Sequence, residues 1–349
     1  MRFLRLSIFL LAASLAVTSC SKRLSLLQVQ GGYSLLSNEM KKEIRRVEKS
    51  VVGVTTKIIY EVQTFDYEMQ NGNLVADASS PVRYRLKSGD AGIIREKDEK
   101  TLSGGGLVIE HDPSAGSYTI LTSSHLVSPR DTTDTYYLDE HGAPTGVVFQ
   151  RLIVKKVSLS VRGGSNWRVP AQLLVNNSIS DIAIIVGDTE KYLAGEYLNA
   201  LGYDLDLSWG DWVFMFGYPQ QIKQMTGGWV SESPYRGTFA VDAVVRFGFS
   251  GGPVFALSRK KYELVFVGII KSVPSGTVDY IAPDGTLPIG YRLTADDTQK
   301  LIVSREVVVN YGTVYCVNPK LIKRFIKAAK APLEANGVFL HRKYYGRGT

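Results

Sequence analysis

The chain has 349 residues, of which 44% are hydrophobic and 21% charged, a composition typical of globular rather than disordered proteins. Its formal net charge of +8 is concentrated at one end, because residues 320–349 carry eight Lys or Arg and one Glu and the rest is close to neutral. This distribution argues against a nucleic-acid-binding body. Only two cysteines are present, at positions 20 and 316. If Cys20 is lipidated, Cys316 has no partner in the chain, and stability must then come from a hydrophobic core rather than from disulfides.

Residues 1–19 have the features of an export signal. Two arginines precede an apolar run over residues 6–17 that is too short to span a bilayer comfortably. The sequence Val-Thr-Ser-Cys ending at Cys20 resembles a bacterial lipobox, which implies that Cys20 becomes a lipidated N-terminal residue. We expect a lipid anchor in the bacterial cell envelope, at the outer membrane or another membrane facing the periplasm. An ordinary secretory signal is the alternative. Residues 20–36 follow as a polar tether.

The elements after residue 36 are mostly predicted strands between two helices. The first helix covers residues 38–50, where Met40, Ile44 and Val47 recur at helical spacing behind a cap at Ser37 or Asn38. Apolar and β-branched runs then predict strands at 51–60, 105–110, 118–122, 148–161, 169–175, 182–186, 212–217, 227–231, 238–245, 253–257, 262–270 and 312–317.

Three polar stretches interrupt this series, a loop over residues 131–144 and two longer insertions over 69–100 and 272–310. Cys316 lies in an apolar alternation, which predicts a buried structural thiol. Asn318 and Pro319 are typical of a helix start, so the chain should end in a helix with one apolar stripe and solvated charges. Short strands at this spacing indicate an all-β sandwich or barrels.

The most informative motif is the glycine-rich stretch around Ser250. Gly248 lies two residues before this serine, and two further glycines follow it directly. Glycine lets the backbone approach a ligand closely, and a serine flanked by backbone N–H groups suits acyl transfer. Read alone, the stretch is equally consistent with a glycine turn between strands.

Two upstream residues favour the catalytic interpretation of this stretch over a simple glycine turn. His125 follows an apolar strand directly, and Asp181 opens another. His125, Asp181 and Ser250 lie in that order, 56 and then 69 residues apart, and each stands where a strand meets a loop. A serine nucleophile needs a base, and that base needs an orienting acid.

Around these residues the chain resembles the trypsin- and chymotrypsin-fold serine peptidases, most closely the HtrA (Deg) branch. Four segments carry the resemblance, namely Thr-Ser-Ser-His-Leu-Val at 122–127, Ser-Asp-Ile-Ala-Ile-Ile at 180–185, Gly-Asp-Trp-Val to Gly-Tyr-Pro at 210–219 and Gly-Phe-Ser-Gly-Gly-Pro at 248–253. It implies an exported serine endopeptidase in which Ser250 is the nucleophile, His125 the general base and then acid, and Asp181 its orienting partner. The N–H groups of Gly248 and Ser250 would form the oxyanion hole.

The resemblance also implies an architecture of two antiparallel six-stranded β-barrels. A short N-terminal helix and the first barrel would occupy residues 37–195, the second barrel 196–318, and a C-terminal helix with a basic tail 319–349. The expected partners are polypeptide substrates and, through the anchor, a membrane. No metal or other cofactor is implied, and the oligomeric state is left open.

Two departures from the family stand out. Phe249 takes the place of the family's Asn or Asp, so activation by a newly cut N-terminus is not expected and the resting shape of the oxyanion loop is in question. Fewer than 35 residues follow the last predicted strand, which leaves no room for a PDZ domain. For the substrate pocket we predict Val244, Ile270 and Lys271, with an apolar preference at the residue before the cleaved bond.

Two other functions are compatible with parts of the pattern. One is a protease-fold protein that binds without cleaving; the complete set of His125, Asp181 and Ser250 argues against it, while Phe249 and the long insertions leave it open. The Gly-x-Ser-x-Gly spacing also fits the nucleophile elbow of α/β-hydrolases, an esterase interpretation that requires a helix after the serine and the Asp and His later in the chain. The extended pattern after Ser250 argues against it.

Overall fold

The structure is a computed structural model, and it describes residues 36–345 apart from 72, 113, 115, 140–142, 164–167, 189–206, 259–261, 284–291, 293–300 and 311. The predicted all-β fold is confirmed, because the described strands build two closed antiparallel barrels and the main helices lie near the two ends. The predicted signal peptide and nearly all of the predicted tether lie outside the described residues. The predicted boundary between barrels, at 195/196, does so too.

The helices follow the predicted capping pattern. They are α1 (Asn38–Glu48), α2 (Ser124–Val127) and α3 (Pro319–Ala335), with single 3-10 turns at Gly89–Gly92, Pro219–Gln221 and Arg342–Tyr345. The Ser37 hydroxyl accepts a hydrogen bond from the Met40 N–H at 3.2 Å, and the Asn318 side chain accepts one from the Leu321 N–H at 2.9 Å. Each cap satisfies an N–H that the first helical turn leaves without a partner.

The first barrel is a ring of six strands with a seventh on its flank. The strands of this half are β1 (Val51–Phe65), β2 (Met69–Gln70), β3 (Asn73–Leu74), β4 (Ile93–Asp112), β5 (Ser117–Thr122), β6 (Thr132–Leu138), β7 (Pro144–Arg162), β8 (Arg168–Asn177) and β9 (Ile182–Asp188). The ring runs β1-β4-β5-β9-β8-β7 and closes where β7 pairs with β1, while β6 extends β7 outward and β2 pairs with β3. Aliphatic side chains such as Val52, Ile120 and Ile185 fill its interior.

The second barrel is closed by six strands, with a hairpin projecting from it. The strands of this half are β10 (Trp212–Gly217), β11 (Gln224–Ser231), β12 (Thr238–Asp242), β13 (Pro253–Leu257), β14 (Leu264–Ser272), β15 (Ser275–Pro283), β16 (Leu301–Val309) and β17 (Thr313–Val317). The barrel order is β10-β11-β12-β17-β14-β13. Its interior includes Met215, Val241 and Cys316, and burial raises the pKa of the Cys316 thiol well above its usual range. The predicted burial of Cys316 is confirmed.

Three predicted loops are in part strands. The stretch 69–100 ends in β4, whose first residues pair with the far end of β1 from Phe65↔Ile93 onward. Residues 132–138 form β6 instead of a loop, and the insertion 272–310 contains the β15–β16 hairpin. In β4 the apolar alternation is replaced by charges that pair across strands, as where Lys57 meets Glu99 at 2.6 Å. Exposed ion pairs of this kind give no hydrophobic signal in a sequence.

The two barrels share a core cluster that also takes in both long helices. It includes Leu107 and Ile184 from the first barrel and Phe216 and Phe255 from the second, together with buried residues of α1 and α3. α1 is fastened to β14, because Glu43 accepts from the Leu264 N–H at 2.9 Å. The helices therefore hold the two barrels together.

An α/β-hydrolase arrangement is overturned, since strand β13 follows Ser250 and the sheets are antiparallel.

The C-terminal segment returns from the second barrel to the first. Tyr344 is fully buried in the shared cluster and its hydroxyl donates to the Ile109 carbonyl of β4. The His341 N–H donates to the Glu110 carboxylate at 2.8 Å. The last described turn thus anchors α3 to the first barrel.

This anchor can be tested by truncating the Tyr344 side chain. We expect Tyr344→Ala to lower the free energy of unfolding by about 3–5 kcal/mol, because a large aromatic leaves a cavity in a shared core. Phe339→Ala, at a 70% exposed position nearby, should change it by less than about 0.5 kcal/mol. Urea denaturation followed by tryptophan fluorescence measures both, and equal effects would contradict the anchoring role.

Candidate active site

His125 is held at the end of a barrel strand. β5 ends at Thr122, and the single turn of α2 carries His125 while Leu126 and Val127 are buried beside it. The Thr56 hydroxyl donates to the Leu126 carbonyl at 2.6 Å, which fastens the turn to β1. The His125 side chain remains 48% exposed. Its backbone is therefore fixed while its ring faces solvent.

Asp181 holds the histidine at two points. Its Oδ1 accepts from the His125 backbone N–H at 2.9 Å, and its Oδ2 lies 2.8 Å from Nδ1 of the ring. A carboxylate can only accept, so Nδ1 carries the proton and Nε2 is left as the basic nitrogen. Asp181 is buried and has a φ of +58°, a left-handed conformation that Asp tolerates better than most residues. The turn before it is stabilised by Asn177, which accepts from the Ser180 N–H at 2.9 Å.

The Ser250 loop is tied to both barrels through its backbone. The Gly105 N–H of β4 donates to the Ser250 carbonyl at 2.8 Å, and the Tyr218 N–H donates to the Gly248 carbonyl at 2.8 Å. Between them, Phe249 is buried in the second barrel with 4% exposure and lies directly over Gly217. A phenyl ring in that position anchors the loop by packing rather than by an ion pair.

Gly251 brings the loop against the strand that leads to His125. Its φ is +75°, and a Cβ there would lie 2.3 Å from the Thr122 hydroxyl and 2.9 Å from the Ser123 nitrogen. No side chain could occupy that space. The backbone around Ser250 therefore reaches within two residues of His125 along the chain, although no hydrogen bond joins Ser250 to His125 in the described structure. Hydrogen bonds of this type are often long until substrate binds.

Within residues 248–252, the N–H groups of Gly248 and Ser250 have no acceptor among the described residues. The other three N–H groups of this segment are engaged: Phe249 N–H donates to the Arg246 carbonyl, Gly251 N–H to Ile270 and Gly252 N–H to Phe249. Gly248 has a φ of +107°, which only glycine adopts readily. The two unengaged donors flank the serine and are available to a ligand oxygen.

The three predicted pocket residues lie in different environments. Val244 is 70% exposed, and only Lys271 lines a cavity, which has a volume of about 320 Å³. Ile270 does not line that cavity, because strand alternation turns its side chain into the second barrel, where it is 2% exposed. Its carbonyl instead accepts from the Gly251 N–H at 2.9 Å and the Ser123 hydroxyl at 3.2 Å. Ile270 thus contacts the loop by its backbone.

Sequence reasoning missed the part played by the glycine run Gly104–Gly106. A Cβ on Gly104 would lie 2.4 Å from the Ser250 carbonyl oxygen, and one on Gly105 would lie 2.6 Å from the Gly252 Cα. Three consecutive glycines inside a strand are a recognisable signal of close backbone approach. In the described ranges, no group of His, Cys, Asp or Glu residues is arranged to hold a metal ion.

Residues 104–268 match the family described as trypsin-like peptidase domain. Two solved structures of similar fold are both of the HtrA-type protease AlgW with a decapeptide, one of them a point variant. The variant is 16% identical, covers 85% of this chain and 68% of its own, and gives a TM-score of 0.46. The other is also 16% identical, covers 84% and 67%, and gives 0.43. No curated protein matches the sequence.

The family match covers the segments that hold His125, Asp181 and Ser250 and much of both barrels. Within residues 104–268 the chain therefore resembles a trypsin-like peptidase domain, the domain of a group of serine endopeptidases.

Proposed function

We propose that the protein hydrolyses peptide bonds through Ser250, His125 and Asp181 by way of an acyl-enzyme. The observation that supports this most is the two-point contact of the Asp181 carboxylate with His125, which leaves Nε2 as the basic nitrogen. It occurs in a fold where Gly251 of the Ser250 loop packs against the end of the strand before the histidine. No metal or other cofactor takes part in the proposed reaction.

In the first half-reaction the Ser250 hydroxyl attacks the carbonyl carbon of the scissile peptide. Its proton passes to Nε2 of His125, and the charged ring is stabilised by Asp181 through Nδ1. The carbonyl oxygen becomes an oxyanion, which the N–H groups of Gly248 and Ser250 would bind. Collapse of this intermediate breaks the C–N bond, the leaving amine takes the proton from His125, and the acyl group stays on Ser250 as an ester.

In the second half-reaction water replaces the amine. His125 removes a proton from the water, which adds to the ester carbonyl, and the same donors bind the new oxyanion. The Ser250 oxygen then leaves, regains its proton from His125, and releases a carboxylic acid. Each proton taken up by the imidazole is returned, so the enzyme ends unchanged.

The resting loop supports a binding site that is ready for this oxyanion. Buried Phe249 fixes the middle of the loop, while hydrogen bonds from Tyr218 and Gly105 fix the carbonyls on either side of it. The N–H groups of Gly248 and Ser250 have no acceptor among the described residues. Donors of this kind contribute about 3 kcal/mol each to the stability of the transition state, provided that they are held before the reaction begins.

We also propose that the protein acts on exported or envelope polypeptides while anchored by a lipid at Cys20. This proposal rests on residues 1–20, which lie outside the described structure. In the described part of the chain, no helix is both long and apolar enough to cross a membrane. The membrane, whether the outer membrane or another facing the periplasm, would hold the peptidase domain at its surface through the tether.

The nucleophile and base can be tested by substitution. We expect Ser250→Ala and His125→Ala each to abolish casein hydrolysis, and Ser250→Ala to abolish labelling by a fluorophosphonate probe, because the probe reacts only with an activated serine. Circular dichroism should show that both variants remain folded. Hydrolysis near the wild-type rate in either variant would refute the assignment. Folded wild-type protein that neither labels nor hydrolyses would favour a protein that binds without cleaving.

The orienting role of Asp181 predicts that a conservative substitution of this residue causes a large loss of kcat. We expect Asp181→Asn to lower kcat by on the order of 10³- to 10⁴-fold, because an amide cannot hold the same tautomer or stabilise the charged ring. The matched control is Asp131→Asn, at an exposed carboxylate of the same domain, which should keep the wild-type kcat. Steady-state kinetics on a fluorogenic peptide measures both, and a loss below tenfold for Asp181→Asn would contradict the proposed role.

The lipid anchor has an independent test. In bacterial cells fed radiolabelled palmitate, we expect label on the full-length protein and none on Cys20→Ala, because thioether lipidation needs the Cys20 sulfur. The control is Cys316→Ala, which should keep the label. Equal labelling of wild type and Cys20→Ala would exclude anchoring at this residue.

A further inference from the structure

A cavity of about 320 Å³ lies on the second barrel at the end of β14. It is lined by Tyr235 and Thr238 on one side, by Tyr315 of β17, and by residues 271–275, where β14 gives way to the projecting hairpin. Its volume falls at the lower end of the range typical of ligand-binding sites. None of the candidate catalytic residues lines the cavity, so a group bound there would lie apart from the reacting atoms.

The cavity is connected to the Ser250 loop through a single residue. Ile270 accepts from the Gly251 N–H and donates its own N–H to the Gly252 carbonyl, both at 2.9 Å. Lys271, the next residue, lines the cavity. A polypeptide held at Ser250 would therefore have its neighbouring residues within reach of the cavity wall.

A β-bulge gives Lys271 its position. Ile270 pairs with Cys316 and Ser272 pairs with Tyr315, so Lys271 is an extra residue with no opposite partner. Bulges redirect a side chain that regular alternation would place elsewhere. Here the bulge falls where the strand leaves the barrel and the cavity begins.

The chemistry of the wall is that of an anion site. Lys271 is the one charged residue among the described lining residues, and it forms no ion pair with any described residue. Hydroxyl groups come from five other lining residues, namely Tyr235, Thr238, Ser272, Ser275 and Tyr315, while Val273 and Pro274 are apolar. The Thr238 hydroxyl already donates to the Tyr235 carbonyl, which leaves the other four as donors. The rings of Tyr235 and Tyr315 meet edge to face with centroids 5.0 Å apart, which fixes one side of the cavity. An ammonium among hydroxyl donors suits a carboxylate.

We propose that this cavity binds a carboxylate of the polypeptide substrate and that Lys271 selects it. The inference rests on the proposed peptidase function and specifies its substrate class. The carboxylate is that of an Asp or Glu side chain near the scissile bond, or that of the substrate's own C-terminus. This preference for a carboxylate is additional to the apolar preference expected at the substrate residue before the cleaved bond, for which exposed Val244 is a predicted pocket residue.

The test is a cleavage profile of a random peptide library, read by mass spectrometry. We expect wild-type protein to enrich Asp and Glu at one fixed position relative to the cleaved bond, with kcat/KM about tenfold above the matching Gln peptide. Lys271→Met should lose this enrichment, and Lys271→Glu should replace it with Lys and Arg. The control Lys327→Met, on the exposed side of α3, should keep the wild-type profile.

Peptides with a free or an amidated C-terminus distinguish the two sources of carboxylate. If the Lys271-dependent preference disappears on amidation, the C-terminus is the ligand; if it persists, the acidic side chain is. An absent acidic preference, or one unchanged in Lys271→Met, would overturn the proposal while cleavage itself continues. A wild-type protein that cleaves nothing and whose Ser250 takes no fluorophosphonate would instead refute the proposed peptidase function.

Discussion

The geometry of this site depends on a contact between the two barrels that is made by backbone atoms. At the line where they meet, Gly104 and Gly105 of the first barrel lie against Ser250 and Gly252 of the second, with no room for a Cβ on either glycine of β4. The Gly105 N–H crosses this line to the Ser250 carbonyl. Because the contact is made by backbone atoms, the position of the serine loop is set by the barrels themselves and not by flexible side chains.

The remaining architecture stabilises that contact. The shared hydrophobic cluster draws side chains from both barrels, α1 is fastened to β14, and Tyr344 returns the end of the chain to β4. The rearrangement of any of these would shift one barrel relative to the other. A site whose parts come from two barrels needs this rigidity, since displacements of about 1 Å at reacting groups cost large factors in rate.

The Ser250 loop has a hydrophobic residue, Phe249, at a position where a polar residue is expected from the resemblance. Phe249 stands where the family has Asn or Asp, and the sequence alone raises the question of what then orders the loop. In the structure its ring is buried over Gly217. Packing is independent of a newly formed N-terminus, and the absence of activation by cleavage stays a prediction.

Sequence reasoning identified the elements whose signals are local. Strand-end positions singled out His125 and Asp181, a capping asparagine and proline predicted α3, and short apolar runs predicted most of the barrel strands. It failed where the determining contacts are long-range. The charged start of β4 is stabilised by pairing with β1. The glycine run at Gly104 signals a close approach of backbone, but the sequence does not say that Ser250 is what approaches it. The cavity beside Lys271 likewise depends on a bulge set by pairing with β17.

The central claim is that the Ser250 loop is a preformed oxyanion site held by both barrels. A crystal structure of the protein inactivated by a peptidyl phosphonate tests it most directly. The account predicts a phosphorus bonded to the Ser250 oxygen, with its phosphoryl oxygen about 2.7–3.1 Å from the nitrogens of Gly248 and Ser250 and the loop backbone unchanged. An adduct on another residue, or a loop that turns either N–H away from the phosphoryl oxygen, would contradict it.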